Sequence, residues 1–305
     1  MIKIFPKRVL ISPFTLIVLI PFILVMLWFR EGNIMGTAES GLPFYNFQIA
    51  YNSNKDAWSH YALGFPTNIG MAAKPTYWFM AKLQNIGIPD FLLQASFFWI
   101  VLVVSGVSIY LITKNLFPNL NNKFLFLAVL FYWFNPFSMV NVWNRFLNNF
   151  FVFYMFLPLS LLFFLKGLQT RRYIYAFLIG LISAIFSYAL SSVAFNLLLW
   201  FVFFYTAAFY IFTNGDKGYR FFVIKFFIFT LIFWGLVNIW WIGQVLSYII
   251  IGGFSAVTST SFIAQDNYNT LLSISERLGN LTNLFRLKHA SFFDGEQMLW
   301  TNVYN

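Results

Sequence analysis

The chain has no cysteine among its 305 residues and only two histidines, His60 and His289. That excludes a disulfide framework, an iron–sulfur site, a thiol nucleophile and a histidine-rich metal site. Charge is scarce as well. Asp, Glu, Lys and Arg make up 9% of residues, whereas a soluble domain carries roughly 25% to cover its surface. Acids are the rarer sign, nine against 19 lysines and arginines, which leaves a net charge of +10. No internal repeat or low-complexity tract stands out. What fills the chain instead is apolar: 60% of residues are hydrophobic and the mean hydropathy is +0.73. Such a chain uses lipid as its solvent.

The long uncharged runs are 9–29, 91–113, 124–144, 146–165 and 173–215. A helix needs about 20 apolar residues to cross the hydrocarbon core. The first four runs fit one crossing each. The fifth fits two, with a turn near 187–196, and a further span covers 221–243. The expectation is an all-α polytopic membrane protein with about seven transmembrane helices. The first run is too long for a signal-peptide core, and Trp28-Phe29-Arg30 is not a small-residue cleavage site, so it is read as a retained helix.

The sign of charge sets the orientation. With the N-terminus inside, Lys3, Lys7, Arg8, Lys114, Lys123, Lys166, Arg171, Arg172, Lys217, Arg220 and Lys225 fall on the cytoplasmic side, and Asp216 is the only acid there. This is the positive-inside pattern. The basic residues are topology signals and contacts for anionic lipid, not a nucleic-acid surface. The expected location is the plasma membrane of a prokaryote, multi-pass, with a cytoplasmic N-terminus.

Residues 1–243 then form a transmembrane module whose first outer loop is 30–90. Residues 244–305 form an outer segment, and we expect the protein to continue beyond it. Within 245–265 the apolar stretch is short, so an interfacial or re-entrant segment is favoured over an eighth span. The first loop carries two short amphipathic helices, 47–58 and 75–83, the second with an aromatic face of Tyr77, Trp78 and Phe79. Asp90, just before the second span, reads as a helix N-cap.

An acid follows the first span closely, in Gly36-Thr37-Ala38-Glu39-Ser40-Gly41-Leu42-Pro43. The pattern Gly36-x-x-Glu39-x-x-Leu42-Pro43, then Trp58, Leu63-Gly64-x-Pro66, Pro75 and Leu83-x-x-x-Gly87-Ile88-Pro89, resembles the first outer loop of GT-C glycosyltransferases. It is nearest the prokaryotic group related to arabinofuranosyltransferases. Phe134-Asn135-Pro136, Trp143-Asn144-Arg145, Leu157-Pro158-Leu159 and Asn238-Ile239-Trp240-Trp241 continue the resemblance. It implies a GT-C-like fold and transfer of a sugar from a polyprenyl-phosphate donor to a glycan, glycolipid or glycoprotein acceptor on the outer face. It also implies an acid in the first loop, usually Asp, as base or metal-coordinating group. Glu39 holds that place with one more methylene. A divalent cation, magnesium or manganese, is the one cofactor the resemblance leaves open.

The chemistry calls for the same groups. Removing a proton from an attacking hydroxyl needs a positioned carboxylate, and a phosphate leaving group needs cationic stabilisation. Arg145, at a tight outer tip between two spans, suits phosphate; the alternative is an arginine snorkelling to headgroups. Asp56 and His60, spaced i, i+4, share a helix face. They form either a local hydrogen bond or part of a substrate-binding surface. Trp58, Tyr77 and Trp78 either stack on sugar or seat the loop in the interface. Should a second acid be required, Glu276 or Asp266 is expected to supply it. Two other readings stay open: a transporter or lipid-carrier flippase, and a non-catalytic GT-C-like scaffold. Ion-coupled transport is disfavoured because no span contains a carboxylate.

Overall fold

The computed structural model describes residues 12–35, 42–56, 69–144, 147–213 and 215–248. These are helical, with no strand among them. In chain order they form α1 (Pro13–Trp28), α2 (Leu42–Tyr45), α3 (Phe47–Asn54), a 3₁₀ turn (Ile69–Ala73), α4 (Lys74–Asn85), α5 (Asp90–Leu116) and α6 (Asn122–Phe134). A single turn, α7 (Pro136–Ser138), and a π-helical stretch (Met139–Asn144) lead to α8 (Asn148–Thr170) and α9 (Ile174–Ile185). A second 3₁₀ turn (Ser187–Leu190), α10 (Val193–Thr213) and α11 (Lys217–Tyr248) complete the order.

Among the described residues four helices are long and apolar enough to cross a membrane: residues 90–116, 148–170, 194–213 and 217–244. Phe, Tyr, Trp and β-branched residues crowd these segments, yet they are helical. In a low-dielectric surrounding every backbone N–H and C=O must be paired, and a helix does this within one segment.

The bundle has a basic end and a loop end. Lys114, Lys123, Lys166, Arg171, Arg172, Lys217 and Arg220 lie at or near the helix termini of the basic end. There Arg171 meets Asp216 at 3.5 Å and lies over the Tyr219 ring. Both partners are exposed, so that pair adds little stability. Helices α2, α3 and α4 sit at the opposite end, over the heads of the spans.

The core lies between α5, α6 and α8, where Phe98, Val101, Leu102, Trp133, Phe151 and Phe156 are buried. Phe98 and Phe151 meet edge to face with ring centroids 4.6 Å apart, a geometry the aromatic quadrupole favours. Small residues set the close approaches. A Cβ at Gly106 would stand 2.4 Å from Trp133 Cζ2, and one at Gly180 would stand 3.1 Å from the backbone of Phe233. Gly180 thus lets α9 and α11 touch, as small residues do between membrane helices. Beside it, the Asn238 amide donates to Ser183 Oγ at 2.7 Å and its carbonyl accepts from Trp241 Nε1 at 2.8 Å.

The third apolar run is not one helix. It breaks at Asn135-Pro136, where Asn135 is extended (φ −70, ψ 158). Proline has no N–H and its ring clashes with the preceding turn, and it pushes the residue before it out of the helical region. The uncharged run through 124–144 hid a local backbone rule that overrides hydropathy. Helix α11 also runs further than expected, so Asn238-Ile239-Trp240-Trp241 lies inside the helix and not at its end.

Candidate functional site

The first loop is built onto the bundle by two glutamines. Gln94, one turn into α5 and buried, accepts from Met35 N at 2.7 Å and donates to Met35 O. It thereby holds the chain leaving α1. Gln84, near the end of α4, accepts from Phe47 N at 2.9 Å and donates to Asp90 Oδ1 at 2.6 Å. Asp90 is therefore not the cap itself. Pro89 occupies the N-cap, and Asp90 is the first helical residue. Its charge there favours the helix N-terminus while its carboxylate ties α4 to α5. Gly87, at φ +89, makes the tight reversal between them, a conformation open to glycine at no steric cost.

The two short helices form where the sequence places them, with shifted ends. The first closes at Asn54, earlier than expected, after Asn46 caps it by accepting from Ile49 N at 2.9 Å. The second covers Lys74–Asn85. It docks on the turn between α9 and α10: Ser187 Oγ donates to Ala72 O at 2.6 Å, and Tyr77 Oη donates to Tyr188 Oη at 3.1 Å. Tyr77 is buried. That burial pushes its hydroxyl far above the ordinary tyrosine range, and the neighbouring Tyr188 adds to the rise. Trp78 and Phe79 take the other side of α4 and are half exposed.

Beneath that side lies a groove of about 800 Å³, within the range of pockets that hold small ligands. Trp78 and Phe79 of α4, Ile100 of α5, Met155 of α8, Ile185 of α9 and Trp240 of α11 contribute to its walls. Its floor reaches Val101 and Val152, both buried. On α5 the lining runs from Phe97 to Val101, about 6 Å along the axis at ~1.5 Å per residue. Ile100 and Ile185 are exposed on the bundle's flank, so the groove opens sideways as well as toward the loop. Lys74 is the one charged side chain lining it among the described residues.

The broken third helix is close by, and its freed groups are paired. Asn135 Nδ2 donates to Phe131 O and Tyr132 O, both at 3.0 Å, and Asn135 Oδ1 accepts from Ser138 N at 3.0 Å. Trp143 Nε1 donates to Trp133 O at 2.7 Å. Pro158 removes the N–H that Tyr154 O would use in α8, and Tyr132 Oη donates to that carbonyl at 2.7 Å instead. Tyr154 Oη returns the bond to Tyr132 O. This cluster seals a discontinuity in an apolar setting, where freed backbone groups need partners.

Of the residues expected to carry chemistry, Glu39, Trp58, His60, Arg145, Asp266 and Glu276 lie outside the described residues. Asp56 is described and is exposed just beyond α3. The described acids Glu31, Asp56, Asp90 and Asp216 all stand outside the spans or at a span's first residue. Among the described residues no three His, Asp or Glu side chains converge as metal ligands. Sequence reasoning passed over Gln84, Gln94 and Lys74. Gln94 carried a signal, being the single side-chain amide in the run 91–113. A buried amide in an apolar helix requires partners. No family model, no curated protein and no solved structure matches the chain.

Proposed function

We propose that the chain is a multi-pass membrane glycosyltransferase of GT-C type. It takes a sugar from a polyprenyl-phosphate donor and passes it to a glycan, lipid or protein acceptor on the outer face. The observation that carries this reading is the apolar groove under α4. Its volume, its largely apolar walls and its opening on the bundle's flank suit a lipid chain arriving from the bilayer. The groove's upper rim is formed by Tyr51 and α4, which belong to the loop whose sequence also contains Glu39.

In this reading the bundle crosses the membrane seven times. Helices α5, α8, α10 and α11 are full spans. Helix α9 continues through its 3₁₀ turn, about 26 Å in all at ~1.5 and ~2 Å per residue. Helix α1 and the interrupted α6 complete the count. The basic end is cytoplasmic and the loop end faces out. Trp240 lies 20 residues beyond Arg220 on one helix, about 30 Å, a spacing that supports a groove at the outer interface.

In the transfer step Glu39 is the base. Glu39 accepts the proton of the acceptor hydroxyl as its oxygen bonds to the anomeric carbon. The bond from that carbon to the phosphate oxygen breaks, and polyprenyl phosphate leaves with the electron pair. The divalent cation associated with this family has no three-ligand set among the described residues.

A transporter or flippase has one observation in its favour, the helix interrupted at Asn135. Transporters coordinate substrate or ions with the open groups of such breaks. Here Phe131 O, Tyr132 O and Trp133 O are already occupied by side chains, which favours a structural role for the break.

The test is turnover by the purified full chain in nanodiscs, supplied with polyprenyl-phosphate sugars and an extracted envelope acceptor. The account expects one donor to be consumed with release of polyprenyl phosphate and a glycosylated product. A protein that binds no such donor and forms no such product contradicts it.

A further inference from the structure

We infer that Lys74 reads the phosphate of the lipid in the groove, so that the site selects a long-chain isoprenoid monophosphate over its uncharged counterpart. This rests on the transferase reading for the choice of lipid, but the site is argued from its own geometry. The groove has one charged side chain among its described lining residues, placed where α4 begins and where the loop meets the spans. Its remaining walls are mostly apolar, with the hydroxyls of Thr76 and Tyr51 as further polar groups. The ammonium has three donors. One goes to Lys55 O at 3.0 Å, which fixes the head at the rim and leaves two for a ligand. Lys74 is only half-buried, so its charge is not wholly sequestered from an incoming anion.

The complementary ligand is long, apolar and singly headed, with its anion at one end. A single ammonium with two free donors matches one phosphate group. The trough beneath it passes Phe97, Ile100 and Val101 of α5, between Trp78, Phe79 and Trp240. A diacyl phospholipid would have to seat two chains in this one trough. Arg145, the phosphate partner expected from sequence, lies outside the described residues, and Lys74 supplies that charge from the first loop itself.

The experiment measures binding of a long-chain polyprenyl monophosphate and of the matching polyprenol to the full chain. It uses nanodiscs of zwitterionic phospholipid and native mass spectrometry. Wild type should prefer the monophosphate by about tenfold or more, the ratio a charge-assisted hydrogen bond supplies. Lys74→Gln should lose that preference while binding the alcohol as before, and Lys74→Arg should retain it. Ile100→Trp, which fills the trough, should weaken both ligands. If Lys74→Gln keeps the wild-type preference, or an anionic phospholipid displaces the monophosphate at equal concentration, the inference is overturned. If either occurs in a protein that still transfers sugar, the transferase reading survives. If wild type binds no polyprenyl phosphate, both fall.

Discussion

Replacing Gln94 with Leu separates the anchoring of the first loop from the packing of the bundle. Leucine nearly matches the volume of glutamine and suits a buried position on α5. It removes both bonds to Met35, the one accepted from its N–H at 2.7 Å and the one donated to its carbonyl. A backbone group left unpaired costs about 1–3 kcal/mol when water cannot reach it. Met35 is half-buried, so water recovers part of the loss. The net release should be about 2 kcal/mol, which is about 30-fold in the opening equilibrium. Hydrogen–deuterium exchange read on the peptide containing Met35 should accelerate by that factor, while a peptide within α8 keeps its wild-type rate. Unchanged exchange at Met35 would refute the anchoring argument. So would an equal acceleration in α8, because the substitution would then have loosened the whole bundle.

Two further perturbations bear on the same end of the molecule. Burial raises the Tyr77 hydroxyl above its ordinary value of 10.0. Its contribution to docking is therefore full below pH 10 and is lost as pH rises from there toward the raised folded value, because the released loop ionises first. Proteolytic cleavage near α4 should increase above pH 10 in wild type and respond less in Tyr77→Phe; identical alkaline profiles would contradict the linkage. Asn135→Leu removes the acceptor for Ser138 N and two donors to carbonyls that keep other partners. It should cost about 1–2 kcal/mol, read as a lower unfolding midpoint in detergent, and wild-type stability would refute the sealing role.

The helices were legible because lipid solvation leaves a coarse trace: a span must be long and free of charge, and 91–113 or 146–165 could hardly be anything else. The break at Asn135 was written in the sequence too, as Asn-Pro, but the hydropathy of 124–144 masked it. Asp90 was recognised as a helix-start residue. Its neighbour Pro89 took the cap, and the partner of its carboxylate, Gln84, sits on another helix that no local pattern could supply. The groove was illegible for the same reason. Its walls come from six helices, and Lys74, Ile100, Ile185 and Trp240 meet only after folding. Trp78 was singled out from its loop, and it does line the groove. The role of Glu39 follows from the resemblance and from the chemistry of transfer, not from hydropathy.

That role is tested most directly by sugar transfer from a polyprenyl-phosphate donor, wild type beside Glu39→Gln, at matched amounts of folded protein in the bilayer. Glutamine keeps the size of the side chain and removes its capacity to take a proton. The account predicts that the rate falls about 10²- to 10⁴-fold, the usual worth of a general base, with donor binding unchanged. Transfer at the wild-type rate by Glu39→Gln would contradict it.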